Sequence, residues 1–174
     1  MTRPPRDTVD RIAGQWQAVR PDVDSSPLQV IARVSRLSRL IDRRLAVNFA
    51  RHGLENWMYD MLATLRRSGE PYQLSAGDLL RQSMVTTGAI TNRIDRLEDK
   101  GLVERVPADD RRKVIVRLTP RGLSLVDEVV VTHMATEGEL LGGLTSRQLG
   151  ALADLLRTLL VDLGDRAEAS DQDD

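Results

Sequence analysis

Cysteine is absent from all 174 residues. Its absence excludes disulfides, thiol nucleophiles, cysteine-based metal sites and thiol redox sensing. Aromatic residues make up 3% of the chain, so a core has to be aliphatic, and the 41% hydrophobic content is enough to build one. No apolar run is long enough to cross a bilayer and no signal peptide is evident, so a cytoplasmic protein is expected. A glycine-rich phosphate loop, a nucleophile elbow and a Cys or His cluster are all missing. His52 and His133 have no acid or ligand neighbours at metal spacing along the chain. No catalytic residue, metal site or cofactor is expected, and the chain does not read as an enzyme.

The charge is close to balanced, with a net of −1. That balance is regional. The segment Gly164–Asp174 holds five acids against Arg166, and without it the remainder carries about +3. This polar tail is expected to be disordered, as is the short lead Met1–Arg6. Positive charge gathers between Arg105 and Arg121, where six basic residues face only Asp109 and Asp110.

That basic run belongs to the stretch around which the chain is organised, Ser75–Gly122. Ser75 is a good N-cap for a short helix, and Asp78 can return a bond to the cap's own amide. A second helix is predicted over Thr86–Lys100. Ile90, Ile94 and Leu97 form its apolar stripe, and Thr87, Gly88, Thr91, Asn92, Asp95 and Arg96 its polar side. Hydroxyls and an amide near a helix N-terminus suit phosphate and base-edge contacts. Gly101 ends the helix. A hairpin follows, with strands over Val103–Val106 and Val114–Leu118 and a turn from Pro107 to Asp110. Residues around Leu74 can add a third short strand. Helix, turn, helix and basic hairpin together make a DNA-reading module. Arg112, at the hairpin tip, is placed to enter a minor groove, with Asp110 to brace it.

With TTGAITNRIDRLEDKGLVER (Thr86–Arg105) followed by DDRRKVIVRLTPRG (Asp109–Gly122), the chain resembles the MarR family of transcriptional regulators over about Ser35–Leu163. The wing's Asp-x-Arg corresponds to Asp110 and Arg112. The resemblance implies a mainly α fold with a small β-hairpin wing: a winged helix-turn-helix with N- and C-terminal dimerisation helices. It also implies a homodimer on pseudo-palindromic, double-stranded promoter DNA, acting as a repressor that a small ligand releases. The candidate DNA contacts are Ser83, Thr86, Thr87, Gly88, Thr91, Asn92 and Arg96 from the helix pair, and Asp110, Arg111, Arg112 and Lys113 from the wing. The alternative is a winged-helix interaction or architectural module with no ligand response.

The flanking segments read as helices. Asp7–Arg20 places Val9, Ile12, Ala13 and Trp16 on one face, with Asp7 or Thr8 as cap and Pro21 as stop. A long helix from Leu28 to about His52 has Ile31, Val34, Leu37, Ile41, Leu45 and Phe49 on its apolar face and an arginine run on the rest. Leu54–Arg67 is a third helix. After the wing, Thr119–Pro120 opens a helix with a stripe of Leu123, Val126, Val130, Met134, Glu137 and Leu141. Thr145 and Gln148 form a capping box for a last helix with a broad leucine face. The expected organisation is an N-terminal extension (1–26), a long helix for the dimer and pocket (27–53), the DNA-binding lobe (54–118), C-terminal dimerisation helices (119–163) and the acidic tail (164–174).

Within the family, the extra N-terminal helix makes the chain look most like the urate-responsive branch. The resemblance carries over a ligand set of Trp16, Asp60, Arg93 and Arg105. It implies a small anionic ligand such as urate or xanthine, for which an aromatic face and guanidinium forks are suited. The same four residues also fit a packing tryptophan (Trp16) and, for Asp60, Arg93 and Arg105, an internal salt-bridge network or a hold on phosphates. Asn56-Trp57-Met58-Tyr59 stands where such relatives more often carry a smaller acidic-aromatic pair.

Overall fold

The computed structural model describes residues 5–83, 90–107 and 114–166. In chain order the elements are α1 (Thr8–Val19), α2 (Leu28–Arg51), α3 (Asn56–Arg67), β1 (Gln73–Ser75), α4 (Ala76–Gln82), α5 (Ile90–Asp99), β2 (Val103–Val106), β3 (Ile115–Leu118), α6 (Pro120–Leu141) and α7 (Ser146–Asp162). The chain divides into two compact units, residues 1–136 and 137–174. Among the described residues no helix is long and apolar enough to cross a membrane.

The three strands form one antiparallel sheet in the order β1-β3-β2. Leu74 faces Val116 on one side of β3 and Arg105 faces it on the other. The strand expected around Leu74 is therefore present, and it closes the open edge of the wing. Ser75 caps α4 by accepting from the Asp78 amide at 3.1 Å. The Asp78 carboxylate takes the Ser75 hydroxyl rather than the cap's backbone amide. Asp7, not Thr8, caps α1, where it and Asp10 form a reciprocal box.

One core joins α3, α4, α5, the sheet and the first turns of α6. Met61, Leu62, Leu65, Leu79, Leu97 and Val116 are fully enclosed in it. Two glycines shape its geometry. Gly101, at φ +67°, ends α5 in a conformation that side chains with a Cβ avoid. The chain reverses there through Leu102 N–H donating to Leu97 O at 3.0 Å and Gly101 N–H to Glu98 O at 2.7 Å. Gly122 lies against the backbone of Leu102, whose carbonyl oxygen stands 2.0 Å from where a Cβ would be. Thr119 ties the same seam, its amide bonding Leu102 O at 3.1 Å and its hydroxyl donating to Gly101 O at 2.8 Å.

That seam corrects the expected stripe of α6. Gly122, Val126, Val129 and His133 turn inward, Val130 is half-buried and Met134 is 55% exposed. The expected stripe was therefore rotated by one position beyond Val126. His133 packs on Tyr59 (ring centroids 4.7 Å apart), and Tyr59 stacks on Phe49 at 4.5 Å. His52 also gains neighbours that its sequence position hides. Its Nε2 is 3.2 Å from Thr132 Oγ1 and its Nδ1 3.3 Å from Glu128.

The N-terminal half of α2 is covered less than its pattern suggests. Phe49 is buried and Leu45 packs on the core, but Ile31, Val34 and Leu37 stay 43–64% exposed. α1 lies along this half, burying Val9 and Ala13, and Arg33 reaches across to Asp7 at 2.8 Å and Asp10 at 3.0 Å. In the second unit, α7 has the expected Thr145–Gln148 capping box and no buried residue.

Candidate nucleic-acid interface

The helix expected to read DNA is described from Ile90 onward. Ile94 and Leu97 are buried in the core and Ile90 packs against it. At 100° per residue this stripe leaves three other aspects. Thr91 and Asn92 are exposed away from the core. Glu98, Thr91 and Asp95 line one flank of the helix, Arg93, Lys100 and Arg96 line the other, and Asn92 and Asp99 face directly away from the stripe.

Both flanks are held. On the acidic flank, Arg105 of β2 forms ion pairs with Asp95 and Glu98. Its hydrogen bond to Asp95 above all raises the guanidinium pKa beyond the ordinary arginine value, against the opposing effect of desolvation. On the basic flank, Arg96 pairs with Glu55 and lies over the Trp57 ring at 4.9 Å, while Arg93 lies over the same ring at 5.6 Å. The Trp57 indole N–H donates to Glu55 at 2.9 Å. That bond first, and Arg96 next, hold the Glu55 carboxyl below the usual glutamate range. Lys100 Nζ reaches the Gly53 carbonyl at 3.4 Å.

Ser83 is half-buried at the end of α4, where its hydroxyl donates to Leu80 O at 3.3 Å. Thr91 and Asn92 are open to solvent, as a reading surface requires, whereas Arg96 is turned toward α3. Thr86, Thr87, Gly88, Asp110, Arg111, Arg112 and Lys113 lie outside the described residues.

The four ligand candidates are not gathered into one place. Asp60 is half-buried on α3, one turn from Trp57 and so near the flank that carries Arg93. Arg105 holds the opposite flank of α5. Trp16, 48% exposed, lines a groove of about 440 Å³ with Val23, Asp24, Ser25, Pro27, Leu28 and Ile31, all from α1, α2 and the segment between them. Trp57 is the residue whose role sequence reading missed. It scores as one more apolar position in the α3 stripe, and its arginine partners are more than thirty residues away.

A core-seated helix with open Thr91 and Asn92, beside a three-stranded hairpin sheet, is the arrangement of a DNA-reading winged helix. Comparison with known proteins agrees. A MarR family profile matches residues 52–113. The HTH-type transcriptional regulator PecS of Dickeya dadantii is 39% identical over 149 residues, covering 85% of this chain and 90% of its own. The chain belongs to the MarR family. Like the members it matches, it is a DNA-binding transcriptional regulator and not an enzyme. Solved structures agree on the fold. A MarR-like transcription regulator from Bacillus cereus superposes with a TM-score of 0.73 at 20% identity, covering 81% of this chain and 100% of its own. A MarR family regulator from Streptomyces coelicolor in complex with DNA superposes with a TM-score of 0.72 at 22% identity, covering 85% and 94%.

Proposed function

We propose that this MarR family protein is a homodimeric repressor that reads a pseudo-palindromic operator and lets go when a small anion binds. In each subunit, α5 enters a major groove with Thr91 and Asn92 toward the bases. Thr86, Thr87 and Gly88 are assigned to phosphate contacts, and Asp110, Arg111, Arg112 and Lys113 to contacts with the adjacent backbone and minor groove. The observation that carries this reading is the grip on α5: its apolar stripe is sunk in the core, both flanks are held, and the remaining aspect is polar and solvent-facing. The leucine face of α7, exposed from Leu152 onward, supplies the contact for a second copy. With one α5 from each subunit, half-sites fall about 34–36 Å apart. The protein works in the cytoplasm, where its DNA is.

The ligand we assign is urate, xanthine or a related planar anion, recognised by Trp16, Asp60, Arg93 and Arg105, which the homodimer rather than one chain brings together. Two of these, Arg93 and Arg105, grip α5 from its two sides. An anion that draws either guanidinium away changes the hold on the reading helix, and that links binding to release.

Footprinting of the protein's own upstream region, with and without a panel of purines and organic anions, tests both levels. Expected are two protected half-sites one helical turn apart, lost on adding urate or xanthine, with a rise in melting temperature. Protection that no purine relieves would end the ligand assignment alone. Equal weak binding to cognate and random duplex would favour an architectural or protein-binding module.

A further inference from the structure

Trp57 stands on α3 and touches α5. Its neighbours on α3, Met58 and Met61, are at most 1% exposed, so the backbone that carries Trp57 is fixed by the core. Its ring is only half-buried and is covered by two guanidinium groups of α5, those of Arg93 and Arg96. These two lie one turn apart, and Lys100 continues their row to the Gly53 carbonyl. An apolar stripe fixes which face of a helix is buried and leaves only a small rotation about its axis to be set elsewhere. Contacts on the flanks set that rotation, and with it the direction in which Thr91 and Asn92 point. On the wing side the flank contact is ionic, through Arg105. On the α3 side it is an aromatic face with two cations over it, its edge N–H fixed by Glu55.

We propose that Trp57, braced by Glu55, is a positioning residue for DNA reading: it sets the roll of α5 through Arg93 and Arg96. The proposal rests on α5 being the reading helix. A misrolled helix keeps its phosphate contacts, which tolerate displacement, and loses base-edge contacts, which do not. Sequence discrimination therefore falls more than affinity for DNA in general.

The test uses the full chain and a duplex selected from random sequence by the wild-type protein, with a scrambled duplex of the same length as reference. The readouts are the ratio of the two dissociation constants and the melting temperature. Each cation–π contact corresponds to roughly a two- to fivefold effect, so losing both in Trp57→Leu is expected to lower the ratio by about five- to thirtyfold. Trp57→Phe keeps an aromatic face and is expected to hold most of the ratio. A merely apolar role predicts the reverse pattern: Leu and Phe behave alike, and any loss follows the melting temperature. Glu55→Gln, at an exposed position, is expected to lower the ratio by about two- to fivefold with the fold intact, and it decides the matter should the leucine variant not fold. An unchanged ratio in Trp57→Leu, or equal losses in Leu and Phe, overturns the positioning role while DNA reading stands. A wild-type chain that selects no duplex overturns the DNA reading and this proposal with it.

Discussion

α5 and α7 are both amphipathic helices, and α7 is the more apolar of the two, yet their stripes meet opposite fates. Ile94 and Leu97 of α5 are at most 1% exposed. In α7, Leu155, Leu159 and Leu160 are 66%, 42% and 50% exposed, and no residue of the helix is buried. Apolar content does not decide this; available partners do. α5 has α3, α4 and the hairpin around it within one chain. The leucine row of α7, left open along a 17-residue helix, is a contiguous apolar surface of the kind that soluble chains cover with another molecule. Under the reading proposed above, the lobe folds for itself and α7 folds for the pair.

The largest effect should come from attacking that second purpose. Leu155→Asp combined with Leu159→Asp places two carboxylates, one turn apart, on the α7 face. Sedimentation should then report a monomer. Operator affinity should fall by roughly a hundredfold or more, because two tethered reading helices become two independent ones. The lobe should melt nearly as before. A dimer that survives the double substitution would move the interface elsewhere, with the exposed Ile31, Val34 and Leu37 of α2 next in line.

Glycine separates the two regions by the sign of its replacement. At Gly122 an added Cβ meets the Leu102 carbonyl, so Gly122→Ala must push α6 off the wing. It is expected to cost about 1–3 kcal/mol, read as a drop of several degrees in melting temperature. At Gly150, inside α7, nothing stands within 4 Å of the added atom. Gly150→Ala is expected to stabilise by about 0.4–1 kcal/mol. A destabilised Gly150→Ala would sharpen the comparison, since it would mean that a partner's backbone comes close at that point.

What could be read from sequence follows the same divide between local and distant partners. The Ser75 and Thr145 caps, the Ile90–Ile94–Leu97 stripe and the Gly101 stop are each encoded by neighbours within two helical turns, and periodicity and cap chemistry find them. The strand at Leu74 was legible because it is short, bounded and next to a hairpin with an open edge. The buried face of α6 was not, because it is set by the approach of Gly122 to Leu102, a contact between elements. Candidate site residues divide in the same way. Thr91 and Asn92 are exposed as the helix period requires, but Arg96, on the same polar side, is committed to Glu55 and Trp57, more than thirty residues back. The ligand set came from resemblance rather than from spacing, and within one chain Trp16 and Arg105 lie in different places. Periodicity assigns a residue to a face and is silent about which neighbour will occupy it.

The smallest effect concerns how α1 is fastened, in contrast to the apolar seating of α5. Asp7 caps α1 and accepts from Arg33 of α2. Its bond from the Asp10 amide above all, helped by the Arg33 contact and opposed by desolvation, lowers its pKa from the ordinary 3.8. A carboxylate whose folded pKa is depressed contributes stability that is fully present above its unfolded value and is lost as pH falls through the folded one. The attachment of α1 should therefore be unchanged from neutrality down to about pH 5 and weaken below about pH 4. In Asp7→Asn, the amide oxygen can still cap the helix, but the charge facing Arg33 is gone at every pH. Helicity measured by circular dichroism should thus fall more steeply in the wild type than in Asp7→Asn between pH 4 and pH 2, on the order of the signal of one short helix. Parallel acid curves for the two proteins would show that the apolar contacts of Val9 and Ala13 hold α1 in place without help from its cap.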